Sequence, residues 1–193
     1  SARYEASKKR PPPEDEVHPE SFYAVSKAAS AEFAKAYERF YGLRHTGLRY
    51  FCVYGPRQDY RRTIPPVMSA FIMKLAKDEA PIIFGTGEKR RDFIHVEDVN
   101  RFHRLCITDE RTDGQVYNLG SAENHSVRDI YDNLARLMGK DIPPVHKADL
   151  PGEAQETLAD ITRARALGWA PRVDLEAGIQ TMIDYLDRQG LLA

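Results

Sequence analysis

Ser21-Phe22-Tyr23-Ala24-Val25-Ser26-Lys27 opens a helical pattern that decides the fold. Ser21 can cap the helix by accepting from an early backbone N–H. Val25, Ala29, Phe33, Ala36, Tyr37 and Phe40 then recur at helical spacing, and Gly42 ends the run. The pattern predicts a long helix that buries this apolar face. It feeds Leu48-Arg49-Tyr50-Phe51-Cys52-Val53, a stretch rich in β-formers that stops at Gly55-Pro56. A long helix leading into such a strand predicts an α/β unit.

The same heptapeptide carries chemistry. Tyr23 and Lys27 lie about one helical turn apart and so share a face. A tyrosine is a poor base at neutral pH because its pKa is ~10. A fixed positive charge beside a phenol favours the phenolate, which can take a proton from a sugar or alcohol hydroxyl. The spacing occurs once more, from Tyr4 to Lys8, but there it runs into Pro11-Pro12-Pro13, where a helix cannot form. Read alone, the Tyr23 copy is equally compatible with a packed tyrosine beside a solvated lysine.

Downstream, Pro65 and Pro66 suit the first turn of a second helix, with Met68, Phe71, Ile72 and Leu75 inward. Short strands are predicted at Pro81–Phe84, Asp92–Val96 and Val116–Gly120. Glu97 and Asp98 place acids at the start of another helix. Ser126 and Asp129 have the outline of a capping box, and Gly139 ends that helix. Asp160 and Asp174 are candidate caps for two further helices, with a short strand at Val145. Gly85-Thr86-Gly87 is not a dinucleotide motif, because Arg90 stands where a third glycine belongs and no helix opens there.

The 193 residues carry a net charge of −1 and a pI of about 6.6, which points to neither a nucleic-acid nor a membrane partner. Cys52 and Cys106 match no ligand spacing and read as reduced thiols of a cytoplasmic protein. His95 and His103 lack a nearby third ligand, so no metal site is expected.

Several motifs occur in one order: Phe22-Tyr23-Ala24-Val25-Ser26-Lys27; Gly47 to Gln58; Gly85 to Val99, containing Arg91-Asp92-Phe93; Val116-Tyr117-Asn118-Leu119-Gly120; and Leu158-Ala159-Asp160 with Leu167-Gly168-Trp169-Ala170-Pro171. In this order the chain resembles the extended short-chain dehydrogenase/reductase family, in particular nucleotide-sugar epimerases of the UDP-glucose 4-epimerase type. The resemblance implies the C-terminal part of a Rossmann-type, doubly wound parallel sheet with a small α/β substrate-binding lobe. Residues 1–55 and 92–121 would belong to the NAD-binding domain, and 56–91 and 122–193 to the lobe. The glycine-rich first half would be missing, so the isolated chain is expected to hold NAD weakly and to be inactive.

The implied reaction is oxidation at C4 of a nucleotide sugar, a UDP-hexose, with NAD as cofactor, followed by re-reduction from the opposite face. Tyr23 would be the base, and Lys27 would hold the nicotinamide ribose and favour the phenolate. Phe51 would lie against the nicotinamide, and Arg91 would grip the substrate diphosphate. Cys52 stands at a substrate-contact position where the family usually has Asn. Leu150 stands where a second diphosphate arginine is usual. The catalytic Ser/Thr of the family has no counterpart, since Ser1 is one residue too close to Tyr4. Family members often dimerise through helices including the one that bears Tyr23. The alternatives are a nucleotide-sugar 4,6-dehydratase and a non-catalytic binding module.

Overall fold

A computed structural model describes residues 4, 7, 10–149 and 153–192 of the chain. Ser1, Lys8 and Leu150, named above, lie outside the described residues. The first helix, α1 (Phe22–Tyr41), starts where Ser21 accepts from the Ala24 N–H at 3.1 Å. It ends at Gly42, whose φ of 65° is left-handed and whose N–H donates to the Glu38 carbonyl.

The face that α1 turns inward is not the one its hydropathy suggests. Ala24 is buried and Ala28, Ala31 and Ala34 are half-buried, so a stripe of small side chains faces the protein. Phe33 and Phe40, expected inside, are 68% and 75% exposed, and Val25 and Tyr37 are also exposed. The two stripes are offset by about one residue, or 100° of helix rotation. Alanine contributes little to a hydropathy pattern, so the bulkier stripe dominated the reading.

The stretch expected to be one strand is two. β1 (Gly47–Tyr50) pairs in parallel with the later strand Val116–Leu119, and β2 (Cys52–Tyr54) pairs in parallel with Phe93–His95. The change of partner falls at Phe51. Its N–H donates to Leu119, whereas the next N–H, of Cys52, donates to Asp92, both at 2.9 Å. The sequence pattern does not show this break because β-propensity is continuous across it.

The chain continues through α2 (Val67–Ala76), β3 (Ile82–Phe84), β4 (Arg90–Arg91), β5 (Phe93–His95) and α3 (Val96–Thr108). Pro66 is the residue before α2 and not part of its first turn. After a 3-10 turn come β6 (Val116–Leu119), β7 (His125–Ser126) and α4 (Val127–Met138). The capping box of α4 is complete: Ser126 Oγ accepts from the Asp129 N–H, and Asp129 accepts from the Ser126 N–H. The chain ends with β8 (Val145–Lys147), α5 (Thr162–Ala166) and α6 (Leu175–Arg188), the last capped by Asp174. β3 pairs with β8 in parallel and β4 with β7 antiparallel.

Side chains alternate across a strand, and β2 and β5 use both faces. Tyr54 and Phe93 enter one apolar core with Phe71, Ile72, Leu134 and Ile179. Phe51 and Ile94 enter a second with Phe102, Leu119, Ala164 and Trp169. The β2–β5 ladder is therefore a partition between two cores. Strands covered on both faces are what a parallel α/β sheet requires.

A buried carboxylate ties three segments to this partition. Asp92 accepts from the N–H groups of Ser121 (2.6 Å), Ala122 (3.1 Å) and Ala159 (3.0 Å) and from the Ser121 hydroxyl (2.9 Å). Gly120 allows this approach, because a Cβ there would lie 2.4 Å from both Asp92 Oδ2 and the Ala159 methyl.

Candidate active site

Capping at Ser21 fixes Tyr23 in the first turn of α1, with Lys27 one turn further along. The expected meeting occurs: Lys27 Nζ lies 5.3 Å from the centroid of the Tyr23 ring. This is cation–π distance. Tyr23 is 62% exposed, so its hydroxyl is open to a ligand.

The pair looks into a cleft of about 780 Å³ between α1 and the β1–β2 segment. Phe51, Val53, Arg49 and Tyr4 form part of its wall. Phe51 is buried and stacks on Tyr4 with centroids 6.2 Å apart. The Tyr4 hydroxyl donates to Asn118 Oδ1 and accepts from Arg49 at 2.7 Å. Glu14 accepts from the Asn118 N–H at 2.9 Å, and its carbonyl accepts from Arg49. Burial pushes the Tyr4 phenol above the usual tyrosine range, while Arg49 pulls it down. Tyr4 is thus a neutral hydrogen-bonding group.

This network was missed in the sequence. Its signal was an arginine inside an apolar strand and an asparagine inside another, positions that demand partners when half or fully buried.

A second cavity, of about 370 Å³, opens on the other side of the partition. Cys52, Arg91, Lys89 and Glu153 line it together with apolar groups that include Ile82 and Phe84. Val53 lines both cavities. Arg91 is largely buried, donates to the Arg90 carbonyl at 2.9 Å, and stands 3.9 Å from Glu153. Burial raises the Cys52 thiol pKa, with Arg91 opposing. Cys52 therefore presents a neutral thiol at pH 7. The five residues selected from the sequence fall into two sets: Tyr23, Lys27 and Phe51 around one cavity, Cys52 and Arg91 around the other.

Among the described residues no cluster of three or more His, Cys, Asp or Glu side chains could hold a metal ion. No described helix is long and apolar enough to cross a membrane.

The model of the NAD dependent epimerase/dehydratase family matches residues 1–120. The chain belongs to that family. Its structure is similar to that of the UDP-glucose 4-epimerase of Thermotoga maritima, crystallised with UDP-glucose, with a TM-score of 0.91 and 35% identity over 97% of this chain and 61% of that one. The UDP-glucose 4-epimerase of Mycolicibacterium smegmatis is 34% identical over 88% of this chain and 54% of its own length. The dTDP-glucose 4,6-dehydratase 1 of Escherichia coli is 29% identical over 86% of this chain and 47% of its own length. The chain thus spans about half the length of the curated relatives it matches. The α/β fold, with its parallel ladders, is shared with these neighbours.

Proposed function

We propose that this chain carries the proton-transfer and substrate-binding half of an NAD-dependent nucleotide-sugar epimerase that acts at C4 of a UDP-hexose. The observation that carries this reading is that two separate cavities share one strand residue, Val53. The Tyr23–Lys27 pair opens on one cavity, Arg91 and Cys52 line the other, and Val53 belongs to both. A sugar held near Tyr23 and an anionic tail held near Arg91 fit this arrangement.

Tyr23 removes the proton of the C4 hydroxyl and later returns it. Lys27 stands over the Tyr23 ring and places a positive charge beside it. Phe51 offers a flat apolar wall for the nicotinamide, and Lys27 a donor for the adjoining ribose. When bound, NAD supplies the hydride acceptor and donor. These residues suit the nicotinamide end only. The pyrophosphate is normally held by a glycine-rich turn feeding a helix N-terminus, and the sequence holds no G-x-G-x-x-G pattern. Arg91 pairs with the substrate diphosphate by charge and fork geometry. Cys52 contacts the sugar as a weak neutral donor.

We assign residues 1–55 and 92–121 to the cofactor-binding domain and 56–91 and 122–193 to the lobe. The separate apolar cores favour this division, although Ala159, Ile161, Ala164 and Trp169 pack in the core of Phe51 and Ile94, and Tyr54 and Phe93 in the other. The exposed Phe33, Tyr37 and Phe40 on α1 favour a homodimer through that helix.

The test is incubation of the polypeptide, in the length its native source makes, with NAD and UDP-galactose. UDP-glucose is the expected product. A 4-keto-6-deoxy sugar would replace this reading with that of a dehydratase, the activity named for the E. coli relative.

A further inference from the structure

Alternation along a strand divides the basic run Lys89-Arg90-Arg91 between two faces. Arg90 points away from the substrate-side cavity, where its guanidinium donates to Asn124 Oδ1 and to the Asn124 carbonyl, both at 2.8 Å. Lys89 and Arg91 point into the cavity wall. The Lys89 side chain is only 8% exposed. Its ammonium pairs with Asp149 and, at 2.8 Å, with Glu153. Glu153 Oε2 also stands 3.9 Å from Arg91.

The asymmetry of this cluster is informative. The two cations are the sheltered members. The carboxylate that spans them, Glu153, is 42% exposed at its side chain. Burying a charge is costly and demands a partner. An exposed carboxylate in a salt bridge gains little and loses it cheaply. Two sheltered cations bridged by a solvent-facing carboxylate therefore form a site where one anion can replace another. Phosphate oxygens are suited to it, since guanidinium and ammonium groups both bind them by charge-assisted hydrogen bonds.

We infer that Lys89 is a second cation for the substrate's diphosphate, beside Arg91, and that Glu153 holds the anion position until the diphosphate displaces it. This rests on the reading of the cavity as the substrate-side site. Asp149 keeps Lys89 paired in both states, and Glu153 swings outward when substrate enters.

The experiment is calorimetric titration of the 193-residue chain with UDP and, separately, with uridine. UDP binds more tightly than uridine to the unaltered chain. Lys89→Met weakens UDP binding roughly tenfold, equivalent to ~1.4 kcal/mol, and leaves uridine binding unchanged. Lys89→Arg restores it. Glu153→Gln tightens UDP binding severalfold, because the competing carboxylate is gone. Arg91→Met separates two kinds of failure. If it weakens UDP binding and Lys89→Met does not, the role of Lys89 is overturned and the site stands. If neither variant matters, or if UDP binds no better than uridine, the site itself is misassigned. Weaker UDP binding by Glu153→Gln would overturn the displacement and make Glu153 a positioning residue. Circular dichroism of each variant checks folding, and Glu153→Gln tests the inference even if Lys89→Met does not fold.

Discussion

Tyr23 stands in solvent at the mouth of its cleft, whereas Asp92 is sealed beneath four donors. The two therefore fail in different ways when altered. Tyr23→Phe removes only an exposed hydroxyl, so the melting temperature should not move. On the proposed reading, turnover of UDP-galactose should fall by roughly 10²–10⁴, the usual worth of a positioned acid–base group. Retained turnover would remove Tyr23 from the proton path. Asp92→Ala strands one buried and two partly buried N–H groups and should cost about 3 kcal/mol in urea unfolding. His95 adds a pH dependence. Its Nδ1 accepts from the Glu97 N–H, so Nε2 carries the proton and donates to Thr181. Burial pushes the His95 pKa down, more than Asp98 and Glu97 raise it. The unfolded state, with a pKa of ~6.5, takes up the proton first. The stability this gives is complete above that value and is lost as the pH falls through 6.5 and below. The urea midpoint should drop between pH 7.5 and 5.5, and less so in His95→Asn.

At the scale of elements, what could be read in the sequence was what neighbouring residues decide. The capping box at Ser126 and Asp129, the left-handed glycines at 42 and 139 and the Asp174 cap all depend on local geometry, and all are present. The change of strand partner at Phe51 and the Tyr4–Arg49–Asn118 network depend on residues far apart in the chain, and no local pattern carries them. The spacing of Tyr23 and Lys27 was legible as a shared face, because a helix turn is local. Which stripe of α1 faces inward was misread, since alanines that fit against the protein look unremarkable beside phenylalanines that do not. The exposed stripe makes its own prediction. Sedimentation should show concentration-dependent dimers of the chain, and Phe33→Glu should leave it monomeric with an unchanged melting temperature. Dimers that persist in Phe33→Glu would move the interface elsewhere.

For the whole molecule, the β2–β5 partition makes the stability of the two cores a shared property. Ile179→Ala in one core should cost roughly 2–5 kcal/mol, and Phe102→Ala in the other roughly 3–5 kcal/mol. Each should lower one common transition, because Phe93 and Ile94 are adjacent on a single strand and belong to opposite cores. The chain contains one tryptophan, Trp169. Its ring stands edge-on to Phe102 with centroids 5.4 Å apart, and its Nε1 donates to the Asp98 carbonyl at 3.1 Å. Light absorbed selectively by indole is therefore emitted from one side of the partition alone. Far-ultraviolet dichroism weighs the helices of both sides. Heating one sample while following both signals turns a packing detail into a cooperativity gauge: superimposed curves mean the partition couples the two halves, and an emission change that leads or lags means they melt as separate bodies.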